Sequence, residues 1–169
     1  MILENQRAFL ALIEWSEGTG TDPRTGKAID AYRTCYGYGH TIQSFADHPA
    51  VTREWSGEVL PEAMCRKAGL SRGCRSTAAG RYQLIRPTWV GIKARLRLPD
   101  FSPESQDRAA LYLIHNRGAL EDVHAGRIGD AMQKCRAEWA SLPGAGYGQP
   151  ERRSADLFAA FKRAGGTLA

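Results

Sequence analysis

The residue of this sequence best placed for acid–base chemistry is Glu17, which ends an amphipathic helical pattern and is followed at once by Gly18. Counting back in helical steps, Ile13 and Leu10 lie on the same stripe, so Glu17 extends the face that turns to the core. A carboxyl group there, beside Trp15 and at the negative end of the helix dipole, loses solvation and keeps its proton to higher pH. A general acid that works near neutral pH needs such an environment. The position alone also fits a solvated glutamate at a helix end before a glycine cap.

Two further segments, 76–83 and 142–149, combine small loop residues with amide and phenol groups. Small residues let a long ligand approach the backbone closely, and side chains such as Tyr82 and Tyr147 can then bind it. Sugars are bound by such mixtures of amide, hydroxyl and aromatic groups. Taken singly, each segment is also typical of an ordinary turn.

The elements that must position these residues are mostly helical. Apolar periodicity, with Asn5 as the first N-cap, predicts helices at 6–17, 61–67, 87–98, 102–117, 119–124, 128–139 and 154–164. A strand-like composition broken by Gly37 and Gly39 predicts a hairpin of 32–36 with 40–45, and 81–85 resembles a polar-aromatic strand. We therefore expect an α+β fold, one mostly helical domain over 1–169 with a small sheet lobe at about 29–60.

Length and composition are those of a globular protein of one compact domain. The chain has 169 residues, of which 43% are hydrophobic and 24% charged. No apolar run approaches membrane-spanning length, so no stable membrane association is expected. The first seven residues contain Glu4 and Arg7, with no uninterrupted apolar stretch after them, which does not fit a secretory signal peptide. Synthesis in a cytosol is the expectation.

The net charge of +5 favours an anionic partner. Such a partner could be nucleic acid, a membrane surface or an anionic wall polymer. The basic residues are scattered, without an arginine-rich run interleaved with aromatics, so no dedicated nucleic-acid surface is predicted and a general attraction to a polyanion is the expectation. A basic nucleic-acid binder remains an alternative on charge alone.

The four cysteines and four histidines lack the spacing of a metal site, so neither a metal nor another cofactor is expected. Cys135 falls on an apolar stripe and is predicted to be a buried thiol. Cys65 and Cys74 bracket a short loop and could pair in an oxidising compartment, whereas reduced thiols are the default for a cytosolic product.

Taken together with Trp15-Ser16-Glu17-Gly18-Thr19, these segments resemble the lambda-type phage endolysins, the lambdoid lytic transglycosylases. The likeness runs nearly end to end. Its matching runs include Asn5-Gln6-Arg7, Asp47-His48-Pro49, Asp100-Phe101-Ser102-Pro103, Arg117-Gly118-Ala119-Leu120 and Trp139-Ala140-Ser141-Leu142-Pro143-Gly144-Ala145-Gly146-Tyr147-Gly148-Gln149.

The resemblance implies a lysozyme-like fold with a saccharide cleft between a small antiparallel sheet lobe and a helical lobe. It also implies that Glu17 matches the family's single catalytic glutamate. The residues that it places along the cleft are Tyr82, Gln83 and Tyr147, with Ser76 and Asp47 as weaker candidates. The chain departs from the family pattern by a longer segment between Pro49 and Ser76, which leaves the contacts of one cleft lip undefined.

The resemblance implies lytic transglycosylation of the MurNAc–GlcNAc β-1,4 bond of peptidoglycan, leaving 1,6-anhydro-MurNAc ends. A two-carboxylate glycosidase needs a second acidic group, and neither Asp22 nor Asp30 falls in a recognisable motif for one. The alternative enzyme is a hydrolytic muramidase that uses water with help from one of them. A non-catalytic wall-binding or phage-structural protein is the alternative outside enzymes.

The expected partners are peptidoglycan glycan strands, with the protein acting as a monomer. It would stay in the host cytoplasm until a membrane-opening holin gives it access to the periplasmic wall. The sequence does not distinguish phage lysis from service in a tail-derived device.

Overall fold

A computed structural model describes residues 1–146 and 151–169. The helices are α1 (Ile2–Glu17), α2 (Pro49–Thr52), α3 (Glu62–Lys67), α4 (Arg86–Leu96), α5 (Pro103–Asn116), α6 (Leu120–Ala125), α7 (Ile128–Cys135) and α8 (Ser154–Arg163), with a 3-10 turn at Ala31–Arg33. The strands are β1 (Glu58–Val59) and β2 (Arg75–Ser76). No helix of these described stretches is long and apolar enough to cross a membrane.

The chain forms two compact units. The terminal unit consists of Met1–Gly18 and Ala110–Ala169, and the central unit consists of Thr19–Ala109. The division falls inside α5.

Helix α1 supplies the centre of the terminal unit, where it packs against α6 and α8. Its apolar face, with Phe9, Leu12 and Ile13, is fully buried, as the periodicity predicts. The helix ends after Glu17 because Gly18 adopts a left-handed conformation, with φ of 73°, and its N–H bonds back to the carbonyls of the preceding turn.

The start of α1 differs from the prediction, because Asn5 lies inside the helix and is not its N-cap. The Asn5 side chain is 1% exposed. Its amide donates to the carbonyls of His124 and Thr167, and its oxygen accepts from the Thr167 N–H. The N-cap prediction is wrong because the hydrogen-bond partners of the Asn5 side chain lie at least 119 residues away in the sequence.

The later helices agree with the predicted pattern apart from their ends. Helix α6 stops at a left-handed Gly126, and α7 ends at Cys135 rather than reaching Trp139. Trp139 is nevertheless buried, and Cys135 is a buried free thiol as predicted.

The central unit holds one small antiparallel sheet, in which Glu58 pairs with Ser76 and Val59 with Arg75. The hairpin predicted at 32–36 and 40–45 is reduced to a single bridge between Thr34 and Thr41. The prediction is wrong there because the Asp30 carboxylate caps the N–H of Tyr32, which winds the chain into a 3-10 turn.

The predicted strand at 81–85 is also absent from the described structure, which has a tight turn there. Gln83 has a φ of 50°, in the left-handed region, and a bridge between Ala79 and Leu84 closes the turn. A β-strand cannot pass through a residue in that conformation.

The long segment between Pro49 and Ser76 contains α2, α3 and both strands of the sheet. Cys65 at α3 and Cys74 before β2 form a disulfide. Of the two states that the sequence left open, the structure therefore has the paired one rather than the reduced default.

Candidate active site

Glu17 is the last residue of α1, and its carboxylate contacts one side chain from a distant part of the chain. The hydroxyl of Ser141 donates to Glu17 Oε1 at 2.5 Å. The hydroxyl of Ser16, the neighbouring residue on α1, donates to Ser141 Oγ at 2.6 Å. Ser16 is 3% exposed and Ser141 9% exposed, so both hydroxyls are shielded from water. We call Ser16 and Ser141 the hydroxyl chain.

The environment of Glu17 favours its protonated form. Burial raises the pKa of the Glu17 carboxyl above its ordinary value, while the hydrogen bond from Ser141 and the positive charge of Arg152 partly offset this effect. This direction agrees with the expectation drawn from the apolar stripe. The Glu17 carboxyl can therefore hold a proton to higher pH than a solvated glutamate. When it does lose the proton, the Ser141 hydrogen bond and the charge of Arg152 stabilise the carboxylate.

Arg152 lies against the end of α1. Its guanidinium stands 5.0 Å from the centroid of the Trp15 ring, a cation–π arrangement, and its Nε donates to the Ser16 carbonyl at 3.3 Å. Its backbone N–H donates to the Ser141 carbonyl at 2.9 Å. One residue thus contacts both members of the hydroxyl chain and supplies positive charge near Glu17.

The segment after Ser141 is held by Glu151. The carboxylate of Glu151 accepts hydrogen bonds from the N–H groups of Gly144 at 2.8 Å and Gly146 at 3.0 Å. These backbone donors lower the pKa of Glu151. The predicted contact residue Tyr147 falls outside the described residues.

Tyr82, predicted to line a saccharide cleft, is 1% exposed and lies in the central unit. Its hydroxyl donates to Asp107 Oδ1 at 2.5 Å and accepts from Arg81 at 2.9 Å. Tyr32 donates to the same carboxylate at 3.0 Å and accepts from Arg81 at 2.8 Å. Burial raises the pKa of the Tyr82 phenol, which keeps it a hydrogen-bond donor. These contacts are those of a side chain that fixes the 80–84 turn.

Gln83 is half-buried in the same turn. Its amide nitrogen donates to the carbonyls of Gly80 at 3.0 Å and Thr34 at 3.2 Å. These bonds compensate for the left-handed backbone of a residue that is not glycine. Gly80 itself has a φ of 77°, and a side chain there would collide with Gln106, whose oxygen accepts from the Arg81 N–H at 2.9 Å.

The two weaker candidates also lie in the central unit. Asp47 accepts from Trp89 Nε1 at 2.7 Å and from Lys93 Nζ at 2.6 Å. Partial burial opposes the charge of Asp47, but the Lys93 and Trp89 hydrogen bonds outweigh it and lower its pKa. Ser76 ends β2, where its hydroxyl accepts from the Ala78 N–H at 3.3 Å.

The turn and Asp47 are joined through His48. The buried His48 side chain bonds the Leu84 carbonyl through Nε2 at 2.8 Å and accepts from the Ala50 N–H at Nδ1. Burial lowers the pKa of His48, and both of its ring nitrogens have hydrogen-bond partners within the central unit. The structure thus brings Asp47, Tyr82 and Gln83 into one part of the central unit, while Glu17 belongs to the terminal unit.

Sequence reasoning missed the hydroxyl chain and Arg152. Serines and arginines in loops are too common to single out, and the contact between Ser141 and Glu17 spans 124 positions. The one local sign of this contact in the sequence was a polar pair, Ser16-Glu17, next to the apolar stripe of α1. Across residues 1–146 and 151–169, no group of His, Cys, Asp and Glu could hold a metal ion.

Comparisons with known proteins agree over nearly the whole chain. A family model described as Endolysin matches residues 7–168. The endolysin of Escherichia phage P2 is 41% identical over 166 residues, which is 98% of this chain and 96% of that protein. The endolysin of Escherichia phage lambda is 41% identical over 167 residues, covering 98% and 95%.

Two solved structures are similar in fold. A bacteriophage lambda lysozyme complexed with a chitohexasaccharide has a TM-score of 0.79 and 38% identity, covering 98% of this chain and 97% of that one. A lysozyme from bacteriophage lambda has a TM-score of 0.75 and 37% identity, with the same coverage. The predicted lysozyme-like, mostly helical α+β fold with a small antiparallel sheet is confirmed.

Proposed function

The chain belongs to the endolysin family, and from this premise we propose that it degrades bacterial peptidoglycan by lytic transglycosylation. The bond cut is the β-1,4 link between MurNAc and GlcNAc, and the product carries a 1,6-anhydro-MurNAc end. The observation that carries the proposal is the half-buried Glu17, which is shielded enough to hold a proton and is hydrogen-bonded by Ser141.

In the first step, protonated Glu17 donates its proton to the oxygen that joins the two sugars. The bond between that oxygen and C1 of MurNAc breaks, and GlcNAc leaves with a hydroxyl group. The ionised Glu17 then takes the proton from the C6 hydroxyl of MurNAc while O6 attacks C1 of the same sugar. One carboxyl group serves as acid and then as base, and no water is consumed.

A nucleophile within the substrate removes the need for a second catalytic carboxylate. Well-aligned intramolecular attack reaches effective molarities of about 10⁵ M or more. The contacts of the two nearest acidic candidates support this reading. Asp22 accepts three hydrogen bonds from Arg24, and Asp30 caps the N–H of Tyr32, so each carboxylate has a local structural role in the central unit.

The substrate class is a chain of β-1,4-linked amino sugars. The related lambda lysozyme is complexed with a chitohexasaccharide, which is such a chain. We propose that glycan strands of peptidoglycan are bound with the help of Tyr82, Gln83 and Tyr147, and with Ser76 and Asp47 as weaker contributors. The internal hydrogen bonds of Tyr82 and Asp47 support an additional role for both, that of holding their surroundings in place.

As an endolysin, the protein would await release in the host cytoplasm as a monomer and reach the periplasmic wall when a holin opens the membrane. Its positive charge supports attraction to an anionic wall.

Hydrolysis by a water molecule is the second candidate, because a protonated glutamate in a lysozyme-like fold can also begin that reaction. In that reaction Asp22 or Asp30 would assist the attacking water. A non-catalytic wall binder would not need a shielded, proton-holding glutamate.

The proposal is tested by wall clearing with Glu17→Gln. This variant keeps the shape and removes the acid, so activity should fall by at least roughly 10²-fold. Glu14→Gln, one turn earlier on α1, is the matched control and should clear walls at close to the parent rate. Normal clearing by Glu17→Gln would refute the role of this residue.

A further inference from the structure

Deepening the proposed function, and resting on it, we infer that the hydroxyl chain of Ser16 and Ser141 selects Oε2 of Glu17 as the oxygen that delivers and recovers the proton. Ser141 is thereby a positioning residue, because it acts on the reaction through Glu17.

The direction of the hydrogen bonds follows from the number of protons. An ionised carboxylate only accepts, so the single proton of the Ser141 hydroxyl must lie toward Glu17 Oε1. The bond between Ser141 and Ser16 then requires the proton of Ser16. Both hydroxyl protons are committed in one direction, from Ser16 to Ser141 to Glu17.

This direction makes the two carboxyl oxygens of Glu17 inequivalent. Oε1 already accepts a hydrogen bond from a buried donor, so a proton placed on Oε2 leaves every bond of the chain intact. A proton placed on Oε1 would reverse both bonds of the hydroxyl chain, so that Glu17 donates to Ser141 and Ser141 donates to Ser16. The Ser16 hydroxyl, on a residue that is 3% exposed, would then have to find another acceptor, which is costly.

Arg152 also holds the two serines of the hydroxyl chain in place. The backbone N–H of Arg152 bonds the Ser141 carbonyl, and its guanidinium bonds the Ser16 carbonyl and stacks on Trp15. Both serines are therefore fixed at the backbone as well as through their hydroxyls, so Glu17 has a restricted orientation rather than a free one.

The charged groups around Glu17 are few among the described residues. Arg152 is the one whose field acts on it. On the neighbouring stretch, Arg153 pairs with Asp156 and Glu151 binds two backbone N–H groups. On α6, His124 bonds Gln6 near the other end of α1. A pH response at Glu17 is therefore set by burial, by the Ser141 hydroxyl and its backbone N–H, and by Arg152; only the hydroxyl is lost in Ser141→Ala.

The first measurement is the pKa of Glu17 by carbon NMR in single variants of the full chain. Ser141→Ala removes a donor to the ionised form and should raise the pKa, and Ser141→Thr, which keeps a hydroxyl, should stay closer to the parent. Ser105→Ala is the matched control, because Ser105 is also a buried serine that donates to a carboxylate, that of Asp100. It should leave the Glu17 pKa unchanged.

The second measurement is turnover on purified peptidoglycan as a function of pH. Loss of one hydrogen bond to a charged group predicts a fall in kcat of about tenfold for Ser141→Ala. The alkaline limb of kcat/KM should move to higher pH, because the acid form of Glu17 persists further. Near-ultraviolet circular dichroism of each variant checks that it folds, and Ser141→Thr provides a folded hydroxyl-bearing comparison.

The double variant decides whether the serines act as one chain. If Ser16 acts through Ser141, Ser16→Ala should lower kcat by about threefold in the parent and have no further effect in Ser141→Ala. Independent, multiplying effects, or an unchanged Glu17 pKa in Ser141→Ala, would overturn the inference. The NMR titration does not depend on turnover, so it still reports on the hydroxyl chain if full activity of Glu17→Gln refutes the proposed function.

Discussion

Replacing Tyr82 with Phe isolates the role of one buried hydroxyl. The substitution keeps the ring and removes the hydroxyl. That hydroxyl donates a hydrogen bond to Asp107 Oδ1 at 2.5 Å and accepts one from Arg81 at 2.9 Å. A hydrogen bond to a charged group contributes about 1.5–3 kcal/mol to stability. Tyr32 still bonds both Asp107 and Arg81 in the variant, so neither charge is left alone and we expect a loss of about 2 kcal/mol.

The assay is thermal unfolding of Tyr82→Phe beside the parent. For a chain of this size each kcal/mol lowers Tm by roughly 2–4 °C, so the expected fall is about 4–8 °C. Tyr36→Phe is the control, because the described residues give the Tyr36 hydroxyl no hydrogen bond, and its Tm should stay close to that of the parent. Well below Tm, Tyr82→Phe should have a nearly unchanged KM. An unchanged Tm with a raised KM would contradict the structural role of this hydroxyl and favour a direct contact between Tyr82 and the sugar.

Three other predictions concern single polar side chains. Asn5→Ala leaves three backbone groups without their partner and should lower the free energy of unfolding by about 2–4 kcal/mol in urea; a loss under about 1 kcal/mol would contradict this. Asp22→Asn and Asp30→Asn, made separately, should retain most wall-clearing activity, and a large loss in either would favour the hydrolase. Glu17→Gln should raise Tm at pH 7 and leave it unchanged at pH 4. The raised pKa means that the folded state binds the proton more tightly, so stability falls as pH rises from the ordinary value of 4.5 through the folded pKa. Equal Tm differences at both pH values would contradict that sign.

Much of the helical framework could be predicted from the sequence, because its signals are local. The apolar stripe of α1 and the glycine after Glu17 fix where that helix runs and stops. Gly126 does the same for α6. The family resemblance was likewise readable from long matching runs and is confirmed.

The failures came from side chains that compete with local propensity. The strand predicted at 32–36 loses its first residues to the Asp30 cap, and the strand predicted at 81–85 becomes a turn held by Gln83. Asn5 has the composition of a cap and is instead drawn into bonds with the C-terminal segment. Propensity over a short window does not contain these long-range partners.

The candidate site divides in the same way. Glu17 could be found because it sits on a stripe where a charge is unusual. Ser141 could not, because nothing in its neighbourhood indicates that it meets α1 from 124 positions away. The five contact residues carried over from the resemblance have roles toward substrate that stay predictions: Tyr82, Gln83, Tyr147, Ser76 and Asp47.

The mass of the soluble muropeptides released from purified peptidoglycan tests the central claim most directly. If Glu17 both protonates the leaving oxygen and directs O6 of the same sugar onto C1, the MurNAc ends must be anhydro forms that weigh one water less than reducing ends. The same digestion with Glu17→Gln should release almost none of them. Reducing MurNAc ends as the sole products of the parent enzyme would contradict transglycosylation and assign the chain to the hydrolases.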